Sequence, residues 1–131
     1  MKVSLNEIVD GLHMVSQNIL VYYDRNTHRT EFAFTEDAYE YDEETIPHNA
    51  LFLPSHYEIN EYQMMLNFIL TLPEGEMKVQ FYDAINGRGA FRNFKKSTLR
   101  FSIEREWYVY KRLELTEIAK DWCKDNGLEF S

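Results

Sequence analysis

Helical spacing of apolar residues recurs five times along this chain, and the alternation typical of strands is confined to the interval between the first and second of those segments. Ser4 followed by Glu7 reads as a capping box, after which Leu5, Ile8, Val9 and Leu12 mark a first helix ending near Val15. A second box, Ser55 with Glu58, precedes Ile59, Tyr62, Met65, Leu66 and Ile69, a helix that stops before Pro73. Pro73 begins a third, with Glu74 and Glu76 at its positive end, Val79, Phe81, Tyr82 and Ile85 along it, and Asn86-Gly87 as a left-handed stop. Residues 90–100 form a fourth. Residues 103–125 form a long fifth, with Ser102 as N-cap, Trp107, Leu115, Ile118, Ala119 and Trp122 near one face, and Asn126-Gly127 closing it.

Residues 18–24 and 29–34 are rich in β-branched and aromatic side chains, and Arg25-Asn26-Thr27-His28 between them is a polar tight turn, so a β-hairpin is expected. Thr30, Phe32 and Phe34 share one face of its second strand and Arg29, Glu31 and Ala33 the other, which suits a sheet covered more fully on one side. Ala50-Leu51-Phe52-Leu53, closed by Pro54, adds a third strand, and Leu128-Glu129-Phe130 either returns as an edge strand or frays. The expected class is α+β, a small antiparallel sheet packed against about five helices in two layers. A length of 131 residues, 44% of them hydrophobic, supplies one core and hence a single domain over residues 1–131. Residues 36–44 hold six acids among nine, with Tyr39 and Tyr41 between them, and read as part of an acidic loop over 35–46 within that domain.

Fourteen basic against 22 acidic residues give a formal charge of -8, which repels nucleic acid and anionic membranes at long range. That average hides a local reversal. Residues 87–100 contain five basic side chains and no acid, leaving nine basic against 22 acidic, or -13, for the rest. In Gly87-Arg88-Gly89-Ala90-Phe91-Arg92-Asn93-Phe94-Lys95-Lys96 the glycines permit a tight corner that leaves the first amides of the following helix open to an anion. Arg88, Arg92, Lys96 and Arg100, spaced four apart, form a drifting basic stripe joined by Lys95, while Phe91, Phe94 and Phe101 lie on a different arc and are expected to face the core. Arg88, Gly89, Arg92, Lys95 and Lys96 are therefore the candidate anion- or partner-binding residues, because guanidinium forks match carboxylate and phosphate geometry. The competing reading is internal: the same cations pair with the chain's own acids, the run at 36–44 among them. Glycine spacing excludes a nucleotide-binding P-loop or a dinucleotide fingerprint.

Other chemistry-bearing residues point to structural roles. Cys123 is the sole cysteine, which excludes an intrachain disulfide and fits a reducing compartment, and without a local histidine or basic cradle it reads as buried and inert. His13, His28, His48 and His56 fall on separate segments with no metal-ligand spacing, so neither a metal nor a cofactor is expected. The acids Glu43-Glu44 and Glu104 with Glu106 lie in polar settings that separate no pair of pKa values, whereas Glu58 and Glu61 flank an apolar helical stripe and are placed to answer the basic segment. Met64-Met65 and Trp107-Tyr108-Val109-Tyr110 suit core packing, with at least one of Tyr108 and Tyr110 partly exposed. The N-terminus turns polar too early for a signal peptide and no apolar run spans a bilayer, so the expectation is a cytoplasmic protein with no membrane partner.

Ser55-x-x-Glu58-Ile59-Asn60-Glu61-Tyr62, Leu72-Pro73, Gly87-Arg88-Gly89-Ala90-Phe91-Arg92-x-Phe94-Lys95, Glu106-Trp107-Tyr108 and Ile118-Ala119-x-x-Trp122-Cys123-x-x-Asn126-Gly127 together carry a resemblance. On these motifs the chain resembles an uncharacterised bacterial protein family, number zero-one-five-eight of the unknown-function series, over most of its length and more loosely in the hairpin and acidic loop. The resemblance implies a compact bacterial cytoplasmic protein and supplies no catalytic residue. The residues themselves favour a non-enzymatic binding or adaptor module whose partner is an anionic ligand or an acidic protein surface. The alternatives are an enzyme acting on a phosphorylated small molecule, with Glu61 as general base, and a nucleic-acid-associated protein, which the net charge disfavours. Oligomeric state is left open.

Overall fold

The computed structural model describes residues 2–34, 46–47 and 49–131, so the acidic segment and His48 lie outside the described residues. The chain divides into two compact units, Met1–Ile59 with Leu115–Ser131, and Asn60–Glu114. Five helices of nine residues or more and a three-stranded antiparallel sheet make the described residues α+β, as the apolar periodicity implies.

The first unit holds α1 (Leu5–Met14), β1 (Ile19–Asp24), β2 (Arg29–Phe34), β3 (Ala50–Phe52), the single turn α2 (His56–Ile59) and the C-terminal part of α6 (Glu104–Asp125). Strand order is β2-β1-β3, with the hairpin in register from Ile19 opposite Phe34 to Asp24 opposite Arg29. Asp24 closes the turn: its Oδ1 accepts from the Asn26 and Thr27 amides at 2.8 and 3.4 Å, and its carbonyl accepts from the His28 amide at 2.8 Å. That satisfaction is what permits an aspartate to be buried there. Ser4 caps α1 through the Glu7 amide, but the Glu7 carboxylate does not reach back to complete the box. It accepts instead from the Thr30 amide at 3.0 Å and ties α1 to β2. Gly11 shows how close that approach is, since a Cβ there would meet side-chain carbons of Leu53 at 3.1 Å and Val21 at 3.2 Å. The helix covers Val21 and Thr30, and the Phe32 and Phe34 rings beyond them remain half exposed, edge to face with each other at 5.9 Å.

The C-terminal tail neither frays nor joins this sheet. Val3 donates to the Glu129 carbonyl at 2.8 Å and accepts from the Ser131 amide at 3.1 Å, a parallel bridge between Val3 and Phe130 that ties the two ends of the described chain together.

The second unit holds α3 (Glu61–Thr71), α4 (Glu76–Ala84), α5 (Ala90–Arg100) and the N-terminal part of α6. Three boundaries differ from the sequence expectation. The Ser55 and Glu58 box is complete, with both reciprocal bonds formed, yet it opens only α2, because Asn60 turns left-handed at φ 52° and caps α3 through the Gln63 amide. Pro73 stands outside α4, which starts at Glu76 after Gly75, so Glu74 lies ahead of the helix and pairs with Lys78 at 2.8 Å. Ser102 is no N-cap: at φ 57° it is the left-handed residue that ends α5, with its own amide bonded to the Leu99 carbonyl and the Ile103 amide to the Thr98 carbonyl.

A ring cluster fills this unit. Phe94 meets Phe81 at 5.4 Å, Trp107 at 4.8 Å and Phe68 at 6.2 Å between ring centres, in the edge-to-face geometry that aromatic quadrupoles favour. Met64 and Met65 are buried, while Tyr108 is exposed and Tyr110 half-buried, as adjacent aromatics on one helix require. Among the described residues no helix is long and apolar enough to cross a membrane.

Candidate functional site

The basic corner is built by two left-handed glycines, Gly87 at φ 101° and Gly89 at φ 74°, which carry the chain from α4 into α5 through the exposed Arg88. The Asn93 amide closes the first helical turn on the Gly89 carbonyl at 2.8 Å. Arg92 folds back over the corner, its Nη2 lying 3.2 Å from where a Cβ on Gly89 would stand, so a side chain at 89 would be strained and would displace the guanidinium. Phe94 and Thr98 point inward, and Arg92, Lys95, Lys96 and Arg100 point to solvent.

Within the described residues, Arg88, Arg92, Lys95 and Lys96 have no carboxylate within 4.0 Å. Among the described residues Arg100 reaches only the neutral Gln80, at 3.3 Å. Of the acids expected to answer this segment, Glu61 binds Lys111 at 2.7 Å and Glu58 caps Ser55, while the run at 36–44 lies outside the described residues. Glu61 is accordingly not among the residues that line the groove described next.

Two features were not apparent from spacing alone. Phe91, expected in the core, is 48% exposed; it sits about 60° around the helix from the buried Phe94. The basic stripe also divides. Each four-residue step advances it by about 40° on a helix of 3.6 residues per turn, so its last members turn over α4 while its first remain on the outer face. Lys96 and Arg100, with Asn93 and Ser97, form one wall of an open groove of about 350 Å³, and Gln80, Asp83 and Ala84 of α4 form the other. Arg88, Arg92 and Lys95 are not among its lining residues. Sequence reasoning missed Asp83 and Gln80; their three-residue spacing on α4 is the signal that both share one helix face.

A second open groove, of about 370 Å³, is mainly apolar and lined by Phe68, Arg105, Glu106, Val109, Tyr110 and Leu113. Among the described residues no three His, Cys, Asp or Glu side chains converge as metal ligands. Cys123 is fully buried and burial pushes its thiol pKa up, the opposite of what a nucleophile requires. Burial likewise raises the pKa of Tyr23, with Glu7 adding to it, and that of Tyr110, with Glu114 adding.

Comparison with known proteins adds one relative to this geometry. The chain is similar to the UPF0158 protein PA5073 of Pseudomonas aeruginosa. Identity is 28% over 67 residues, which cover 50% of this chain and 44% of that protein, so the match spans under half of the relative's length. The relative's family number agrees with the resemblance carried by the glycine-arginine and Trp-Cys motifs. No family model matches the chain, and no solved structure matches it.

Proposed function

We propose that this chain is a non-enzymatic binding module that recognises an anionic partner through Arg88, Gly89, Arg92, Lys95 and Lys96 at the basic corner of α5. The supporting observation is that these cations are exposed and, within the described residues, unneutralised in a chain that carries 22 acids. Exposed charges left unpaired among so many potential partners cost the fold little and remain available to an acidic surface. Phe91 gives the same face an apolar contact beside Arg88, Arg92 and Lys95, which suits an acidic protein segment carrying apolar residues. The lone buried cysteine fits a cytoplasmic setting.

The test is fluorescence anisotropy with a short labelled polyglutamate peptide and, as a control for nucleic acid, a labelled oligodeoxythymidylate. Arg88→Glu with Arg92→Glu should weaken peptide binding at least ten-fold while leaving the far-UV circular dichroism unchanged. Unaltered peptide binding in that variant, or tighter binding of the oligonucleotide than of the peptide, overturns the reading.

A further inference from the structure

We propose that the groove between α4 and α5 is a binding site for a small phosphorylated amine. It lies on a different face of α5 from Arg88 and Arg92, and only Lys96 belongs to both. The disposition of its charges points to such a ligand. One wall presents two cations a helical turn apart, Lys96 and Arg100, and the other presents the exposed carboxylate of Asp83. These opposite charges line one groove, yet within the described residues neither cation forms an ion pair with Asp83 at 4.0 Å or less. A ligand with complementary charges at its two ends would bridge what the side chains leave apart.

The ends of the groove are distinguishable. Arg100 Nη1 donates to Gln80 Oε1 at 3.3 Å, which fixes Arg100 level with Gln80. Asp83, three residues further along α4, is displaced from that level by about 4.5 Å at 1.5 Å per residue. A ligand whose two charged groups are joined by a short linker would reach both levels. Two cations suit a phosphate dianion better than a single carboxylate, and Asp83 suits an ammonium group. Ser97 Oγ donates its proton to the Asn93 carbonyl at 3.0 Å and so faces the groove as an acceptor, while the Asn93 side-chain amide adds donors and that of Gln80 is held between Glu76 and Arg100. A volume of about 350 Å³ is at the small end of ligand sites and takes a molecule of this size.

The experiment is an amide-resolved NMR titration at fixed ionic strength with O-phosphoethanolamine, inorganic phosphate and ethanolamine. O-phosphoethanolamine should bind at least ten-fold more tightly than phosphate, with shifts centred on Asp83, Asn93 and Ser97, and ethanolamine should not saturate. Asp83→Asn should reduce O-phosphoethanolamine to the affinity of phosphate and leave phosphate unchanged. Lys96→Ala with Arg100→Ala should abolish both. Arg88→Glu with Arg92→Glu should change neither, so that failure here is distinguishable from failure of the anionic-partner reading. Equal affinities for the phosphorylated amine and phosphate, an Asp83→Asn variant that keeps the preference, or no saturable binding each overturns the proposal.

Discussion

At Ser102 a side chain occupies a backbone conformation that glycine adopts without penalty. Its φ of 57° completes the helix-ending motif of α5, and Gly127 fills the equivalent position at the end of α6. The left-handed conformation costs an L-residue about 1–2 kcal/mol, offset in part by the extra freedom that glycine loses on folding. Ser102→Gly should therefore stabilise the protein by about 0.5–1 kcal/mol, read as a higher urea midpoint at unchanged m-value. A second residue-level expectation concerns alkali. Tyr23, Tyr110 and Cys123 all have folded pKa values raised chiefly by burial, so the folded state holds their protons more tightly than the unfolded chain does. Their stabilisation is complete below the unfolded values, near 8.5 for the thiol and about 10 for the phenols, and is lost as pH rises through the higher folded values. The urea midpoint should hold steady up to about pH 8 and fall above about pH 9, and Tyr23→Phe should flatten part of that fall. A midpoint that rises with alkali would refute the assignment.

Among the elements, α5 separates the side chains that hold the fold from those offered to solvent. Phe94 is 1% exposed and touches three other rings, so Phe94→Ala leaves a cavity and should cost about 3–5 kcal/mol. Phe91→Ala, one turn earlier and half exposed, should cost within about 0.5 kcal/mol, while weakening binding of the acidic peptide. Equal destabilisation by the two substitutions would place Phe91 in the core after all. The bounds of α5 and the hairpin were legible in the sequence because each is set locally, by Gly89 at the helix start and by Asp24 and the four residues after it at the turn. What sequence could not show depends on partners distant along the chain. Glu7 leaves its own cap for Thr30, the tail pairs with Val3, and what packs over α5 decides whether Phe91 is covered. Asn60 is a different case: a local left-handed break inside an apolar stripe whose periodicity runs through it unchanged. The groove was hidden for the first reason, since Gln80 and Asp83 acquire meaning only when α4 is set beside α5.

For the whole molecule, the charge of five cations on α5 and its corner must act against the field of everything else. The remaining residues carry nine basic and 22 acidic side chains, a balance of -13, and the chain as a whole carries -8. At about 10 mM salt the screening length is about 30 Å, comparable to the size of a small domain, so an approaching polyanion feels the total and is repelled. At about 0.1 M it is about 10 Å; any acid farther from the partner than that is then screened, while the cations next to the docking partner still act across contact distances. An isolated basic patch behaves in the opposite way, because added salt only weakens its steering. The association rate constant for the polyglutamate peptide, measured by stopped-flow fluorescence, should therefore rise a few-fold between about 10 and 100 mM salt, on the order of one screening-length change, with the dissociation rate rising alongside as contact pairs loosen. A fall in the association rate over that range would show that α5 steers its partner on its own, and that the acidity of the rest of the chain plays no part in selecting what binds.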